Sequence, residues 1–186
     1  MRLFLIRHGE TEWALSGRHT SYTDLALTEN GRAQARALRP KLEKYTFTQV
    51  LCSPRRRARE TCELAELGAK MEICEDLREF DYGDYEGLLK SEILAKAPNW
   101  NIFRDGCPGG ETPAQVVARV EKVIQRIRGV NGDVAAFSHG HLSRILATVW
   151  LGQPVMFGTQ LKLDTCAVSI FIWENGVASL QCWNCG

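Results

Sequence analysis

The sequence predicts an α/β fold, a mainly parallel sheet layered by helices. Three observations predict it. Short apolar runs at residues 3–6, 47–52, 71–74 and 133–137 have the length of buried strands. Longer stretches with helical periodicity separate them, and that alternation is the pattern of parallel strands joined by crossovers. The alternation ends in two runs, 167–173 and 177–183, on either side of Glu174-Asn175-Gly176, an Asn-Gly hairpin signal.

The first strand, Leu3-Phe4-Leu5-Ile6, runs straight into Arg7-His8-Gly9. Ligands of open α/β sheets sit beyond the carboxyl ends of strands, so Arg7 and His8 face the usual ligand crevice. Gly9 lets the backbone turn sharply and approach a ligand closely. Residues 11–24 read as a long ordered loop. Thr28 caps a helix that begins at Glu29, and Pro40 should end or kink it. Residues 47–52 form the second strand. Ser53-Pro54 then reads as a serine cap with proline at the first helical position, opening a helix that closes at Gly68.

Residues 71–74 form the third strand, and 76–87 are irregular, acidic and aromatic. A short helix follows over 90–97, then a loop over 98–111 rich in Gly, Pro, Trp and Asn. Thr112 and Pro113 open a helix whose Val116, Val120, Val123, Ile124 and Ile127 form a core-facing stripe. The fourth strand runs into Ser138-His139-Gly140-His141, and a helix covers 142–151.

Composition narrows the function classes. A chain of 186 residues, 45% hydrophobic, suits one globular domain with a substantial core over 1–186. The formal net charge of +1 supplies no field toward nucleic acid or a membrane surface. No apolar run approaches the roughly 20 residues of a membrane span. Met1-Arg2 is followed too soon by His8 and Glu10 for a signal peptide, so a cytoplasmic location is expected. Seven cysteines, an odd number, are expected as free thiols. Cys182-Trp183-Asn184-Cys185 has no second pair at zinc-site spacing and reads as tail cysteines beside a strand.

Four strand ends or neighbouring loops carry unusual polar groups: Arg7-His8-Gly9, Ser53-Pro54-Arg55, Glu79, and His139-Gly140. Parallel strands put their carboxyl ends on one edge, so two histidines, two arginines and a carboxylate converge. Arginine forks match phosphate geometry, and a dianionic phosphoryl group suits this set best. A neutral imidazole can attack phosphorus. Arginines and a second histidine stabilise charge on the equatorial oxygens. A carboxylic acid serves the leaving oxygen and then the incoming water. No metal or other cofactor is expected.

Arg7-His8-Gly9-Glu10-Thr11 resembles the signature of the histidine phosphatase superfamily, phosphoglycerate mutase-like branch. Leu27-Thr28 with Gly31, Ser53-Pro54-Arg55 with Ala58 and Thr61, Leu77-Arg78-Glu79, Gly110-Glu111-Thr112 and Ser138-His139-Gly140 extend the resemblance over nearly the whole chain. It implies a three-layer α/β/α sandwich and a phosphoric monoester hydrolase. It further implies His8 as the phosphorylated nucleophile, Arg7, Arg55 and His139 as the rest of the phosphate pocket, and Glu79 as proton donor and acceptor. Thr11-Glu12-Trp13, Asp81-Tyr82-Gly83-Asp84-Tyr85-Glu86-Gly87 and Trp100-Asn101-Ile102 are similar to small sugar-phosphatase members, sedoheptulose-1,7-bisphosphatases among them. By that likeness Thr20, Tyr82 and Gly140 contact substrate and Arg144 holds a distal phosphate. His19 stands where the bisphosphatases carry tyrosine, and Ala14 where many mutases carry asparagine. The expected reaction is metal-independent hydrolysis of a small phosphorylated metabolite, a sugar phosphate or bisphosphate. Mutase-type transfer and phosphoprotein hydrolysis are the alternatives, and a phosphate-binding protein without turnover is a third.

Overall fold

The computed structural model describes residues 1–185. Strand β1 (Arg2–Arg7) sets the layering. Successive strand side chains point to opposite faces. Leu3 and Leu5 therefore enter one core, with Val116, Val120, Ile127 and Ile145. Phe4 and Ile6 enter the other, with Ala35, Leu38, Leu42, Ala58 and Cys62. All four of these β1 residues are fully buried, which is worth about 1.5–3 kcal/mol per side chain. Two cores on one sheet make the three-layer sandwich.

The other elements follow in order. Helices α1 (Glu12–Ser16), α2 (Glu29–Arg36) and α3 (Arg39–Leu42) precede β2 (Phe47–Cys52) and α4 (Arg56–Leu64). Strand β3 (Met71–Ile73), short helices α5 (Lys90–Lys96) and α6 (Ile102–Asp105), and the long α7 (Pro113–Arg128) come next. Strand β4 (Asp133–Ser138), helix α8 (Gly140–Trp150) and the hairpin β5 (Val168–Glu174) and β6 (Val177–Cys185) complete the chain. The 6-stranded sheet has the order β3-β2-β4-β1-β5-β6. β3, β2, β4 and β1 run parallel, whereas β5 runs antiparallel to both its neighbours, β1 and β6. The carboxyl ends of β1, β2 and β4 thus share one edge, delivering His8, Ser53 and His139 there.

Several local expectations change. The stretch 11–24 contains α1, capped by the Thr11 hydroxyl, and 98–111 contains α6, capped by Asn101. Pro40 does not end the first helix, which stops at Arg36. It sits in the first turn of α3, where its missing N–H costs nothing. Helix α4 opens at Arg56 with Arg55 before it and no side-chain cap, and Ser53 Oγ accepts instead from the Arg55 N–H at 3.3 Å, ahead of the helix.

Cys52, Cys62, Cys74, Cys107 and Cys166 are free and buried, but Cys182 and Cys185 are joined in a disulfide. The physical reason is a bulge. Between the pairs Ile170↔Cys182 and Val168↔Cys185, β6 takes an extra residue relative to β5. Asn184 absorbs it at φ +55°, and the two cysteine Cα atoms stand 6.3 Å apart, within bridging range. No helix among the described residues is long and apolar enough to cross a membrane.

Candidate active site

The turn after β1 is pinned on every side. The His8 N–H donates to Ser138 O at 3.0 Å, and the Gly9 N–H to Thr61 Oγ1 at 3.0 Å. A Cβ on Gly9 would meet Gly31 O at 2.6 Å, so a side chain there would push α2 off the turn. The His8 ring is buried, with Nδ1 2.7 Å from Gly9 O. A carbonyl only accepts, so Nδ1 carries the proton and Nε2 keeps its lone pair. Burial, followed by the positive charges of Arg57 and Arg7, pushes the imidazole well below its ordinary pKa. The ring is neutral at pH 7, the state in which nitrogen is a nucleophile.

His139 lies against His8, ring centroids 5.2 Å apart, and has no exposed surface. Its tautomer is fixed by its partners. Arg57 Nε donates to Nδ1 at 3.2 Å, so Nε2 carries the proton and gives it to Ser53 Oγ at 2.7 Å. This is the partner that draws Ser53 away from helix capping. Burial and then Arg57 depress the His139 pKa as well. The Arg57 guanidinium is itself buried, tied to the carbonyls of Thr20, Ser21 and Thr23 at 3.1–3.3 Å.

Glu79 closes the inner end. One carboxylate oxygen accepts from Phe80 N at 2.9 Å and Leu142 N at 2.8 Å, the other from His141 N at 3.1 Å. His141 and Leu142 lie in the first turn of α8, so a helix N-terminus orients the acid. A Cβ on Gly140 would lie 3.6 Å from Arg7 Nε and 3.7 Å from Glu79 Oε2, so base and cation flank one spot. Behind Glu79, Arg119 on α7 donates to the carbonyls of Asp76, Arg78 and Glu79 and forks onto Glu111 at 2.9 Å. Glu111 also takes the Asp81 N–H. At Gly83, with φ +50°, a Cβ would strike Pro108 O at 2.2 Å, so this loop packs only around glycine.

Arg7, His8 and Glu79 look into a cavity of about 330 Å³ and form its inner end. Its outer wall carries Arg18, Lys90 and Arg144 with Thr20, His19, Tyr82 and His141, and among the described residues Glu79 is its only acid. Tyr82 Oη and His141 Nδ1 share a hydrogen bond of 2.7 Å, and the His19 and His141 rings stack at 5.8 Å. Burial pushes the Tyr82 phenol well above its ordinary pKa, so it remains a neutral hydroxyl. A side chamber of about 140 Å³ shares His19, Lys90, His141 and Arg144 and adds Trp100 and Phe103.

Of the residues singled out in the sequence, Arg7, His8, Glu79, Thr20, Tyr82, Gly140 and Arg144 line this one cavity, and His139 stands directly behind it. Neither Arg55 nor Arg57 is among the residues that line it. Arg55 precedes α4 with its Nε buried, and its guanidinium carbon lies 5.2 Å from the centroid of the exposed Tyr22 ring. Arg57 takes the place beside His139. Helical spacing carried that signal: Arg57 shares the buried face of α4 with Ala58, Thr61 and Cys62, a turn away. Arg119 was also missed, although a charge between Val116 and Val120 on an apolar stripe marks a buried ion. Lys90 and Arg18 had no signal of their own, and His141 stood out only as the neighbour of His139 and Gly140, with no role assigned to it.

The chain is 39% identical over 183 residues to an acid phosphatase of Mycobacterium tuberculosis, a match spanning 96% of this chain and 90% of that protein. It is 38% identical over 200 residues to the sedoheptulose 1,7-bisphosphatase of Saccharomyces cerevisiae, spanning 88% of this chain and 71% of that one. The solved structure of the open reading frame Rv3214 from Mycobacterium tuberculosis superposes with a TM-score of 0.94 at 38% identity, over 99% of this chain and 97% of that one. Residues 3–186 match the model of the histidine phosphatase superfamily, branch 1. The chain therefore belongs to that superfamily and is a phosphoric monoester hydrolase of the phosphoglycerate mutase-like fold.

Proposed function

We propose that the protein hydrolyses small phosphorylated metabolites, a sugar phosphate or bisphosphate, through a phosphohistidine at His8. The observation that carries this reading is the His8 tautomer. Gly9 O holds the proton on Nδ1, which leaves the Nε2 lone pair on a neutral ring at the inner end of a cationic cavity. In the first step Nε2 attacks phosphorus and the ester oxygen leaves, taking a proton from the Glu79 carboxylic acid. In the second, the Glu79 carboxylate takes a proton from water, whose oxygen displaces the imidazole and releases phosphate. Arg7, Arg57 and His139 offset the charge on the transferring oxygens, with Arg57 in the role that the family resemblance implied for Arg55.

The size of the cavity favours a small substrate over a phosphoprotein. Its outer cations favour a second anionic group. Among the described residues, Arg144 is held only by Gly158 O at 2.8 Å and the Phe103 face, and no acid lies within ion-pairing range of Lys90. The bisphosphatase relative supports the same class.

The test is hydrolysis of p-nitrophenyl phosphate by wild type and His8→Ala, with a denaturing alkaline quench of a labelled substrate to trap the phosphoenzyme. The variant should lose at least about 10⁴-fold in kcat and all acid-labile label. Equal rates would overturn the reading. An assay of 2- and 3-phosphoglycerate interconversion, primed with bisphosphoglycerate, separates hydrolysis from mutase-type transfer.

A further inference from the structure

The Cys182-Trp183-Asn184-Cys185 segment has no part in the chemistry above, yet it reaches the site through one peptide group. Arg7 lines the cavity, and among the described residues its guanidinium has a single hydrogen bond, from Nη1 to Leu163 O at 2.6 Å. Arg7 Nε is buried and unpartnered. The direction of this cation therefore depends on where the Leu163 carbonyl points.

That carbonyl belongs to the same planar peptide unit as the Asp164 N–H. The N–H donates to Asn184 Oδ1 at 2.7 Å, and Asn184 Nδ2 donates back to Asp164 Oδ2 at 2.9 Å. Fixing one edge of a rigid plane fixes the other. Trp183 Nε1 donates to Lys162 O at 2.5 Å, so the preceding peptide is held too. Asn184 is itself anchored, its N–H on the buried Ser169 Oγ at 3.1 Å. The bulge at φ +55°, closed by the Cys182–Cys185 disulfide, turns its amide toward Asp164.

We infer that Asn184 is a positioning residue for Arg7, acting through the Leu163–Asp164 peptide, and that it sets the grip of the site on the phosphoryl group. The inference rests on the phosphatase reading, in which Arg7 contacts that group. Aligned hydrogen bonds across one amide also polarise each other, which strengthens the Leu163 carbonyl as an acceptor.

The test uses inorganic phosphate as a competitive inhibitor of p-nitrophenyl phosphate hydrolysis by the full chain. Asn184→Gly deletes the amide and tolerates the left-handed backbone. It should raise the phosphate Ki about fivefold to tenfold, the factor carried by one net hydrogen bond. Asn184→Asp keeps the acceptor for the Asp164 N–H and should restore part of that loss. Trp183→Phe, a milder probe that leaves the Asp164 bonds intact, should raise Ki by about twofold. In an Arg7→Met background Asn184→Gly should move Ki no further, which a purely structural role would not reproduce. An unchanged Ki in the active Asn184→Gly enzyme, or an equal rise in the Arg7→Met background, overturns the inference. If Asn184→Gly does not fold, an unchanged Ki in Trp183→Phe does so. A wild-type protein that neither hydrolyses the ester nor binds phosphate overturns the phosphatase reading instead.

Discussion

The two ends of the cavity are built differently. At the inner end, Glu79 accepts three N–H bonds, and behind it Arg57 makes four, one to His139 and three to carbonyls. The His8 and His139 rings each have one nitrogen assigned by a partner. At the outer wall, Arg144 has one carbonyl partner, Arg18 has Gly87 O at 2.7 Å and Glu92 at 3.6 Å, and Lys90 is exposed. The contrast shows where rigidity is needed. Transition-state stabilisation requires groups already in place. Recognition of a substrate tail tolerates long side chains that settle on the ligand.

The largest expected effect breaks the inner end. Glu79→Gln should slow cleavage of an alkyl phosphate by about 10²–10⁴-fold and of p-nitrophenyl phosphate by much less, since acid help matters most for poor leaving groups. A flat loss across a leaving-group series would remove Glu79 from proton transfer. Next, Arg57→Ala should lower kcat/KM about 10²–10³-fold. Arg55→Ala should cost no more than about fivefold, the worth of a cation–π contact with the Tyr22 ring. Steady-state kinetics on the two variants decide which arginine serves the site.

At the outer wall, Lys90→Met and Arg144→Met should each cost fructose 1,6-bisphosphate about tenfold more in kcat/KM than they cost p-nitrophenyl phosphate, the worth of one charge-assisted hydrogen bond. Equal losses on both esters would mean that these cations do not read a second anion. The smallest effect concerns stability. Burial depresses the folded-state pKa of His8, His139 and His141 below the ordinary 6.5. As pH falls below 6.5 the unfolded chain takes up protons that the folded chain refuses. Stability from these rings is complete above that pH and declines below it, by at most about 1.4 kcal/mol per pH unit for each ring. Urea midpoints between pH 7 and 5 should show the slope, and His139→Asn should reduce it.

Much of the inner end was legible because its residues follow directly on strands. Arg7, His8 and His139 end apolar runs, and a parallel sheet has one carboxyl edge. The choice between Arg55 and Arg57 was harder. The expected helix start at Pro54 lay two residues early, which hid the face that Arg57 shares with Thr61. Ser53 was misread for a related reason: a serine before a proline has the form of a cap, and its actual partner, His139, is remote in sequence. The disulfide escaped because strand pairing alone gives no sign of the bulge at Asn184.

The sequence by itself determined the strand–helix alternation, the two-sided burial of β1 and the supply of polar groups at strand ends, because periodicity and turn chemistry are local. Only the tertiary structure decided which arginine meets His139, which nitrogen of each ring keeps its proton, and how a tail asparagine reaches Arg7. Those outcomes depend on pairs such as Arg57 with His139 and Asn184 with Asp164, whose partners meet only after the chain has folded.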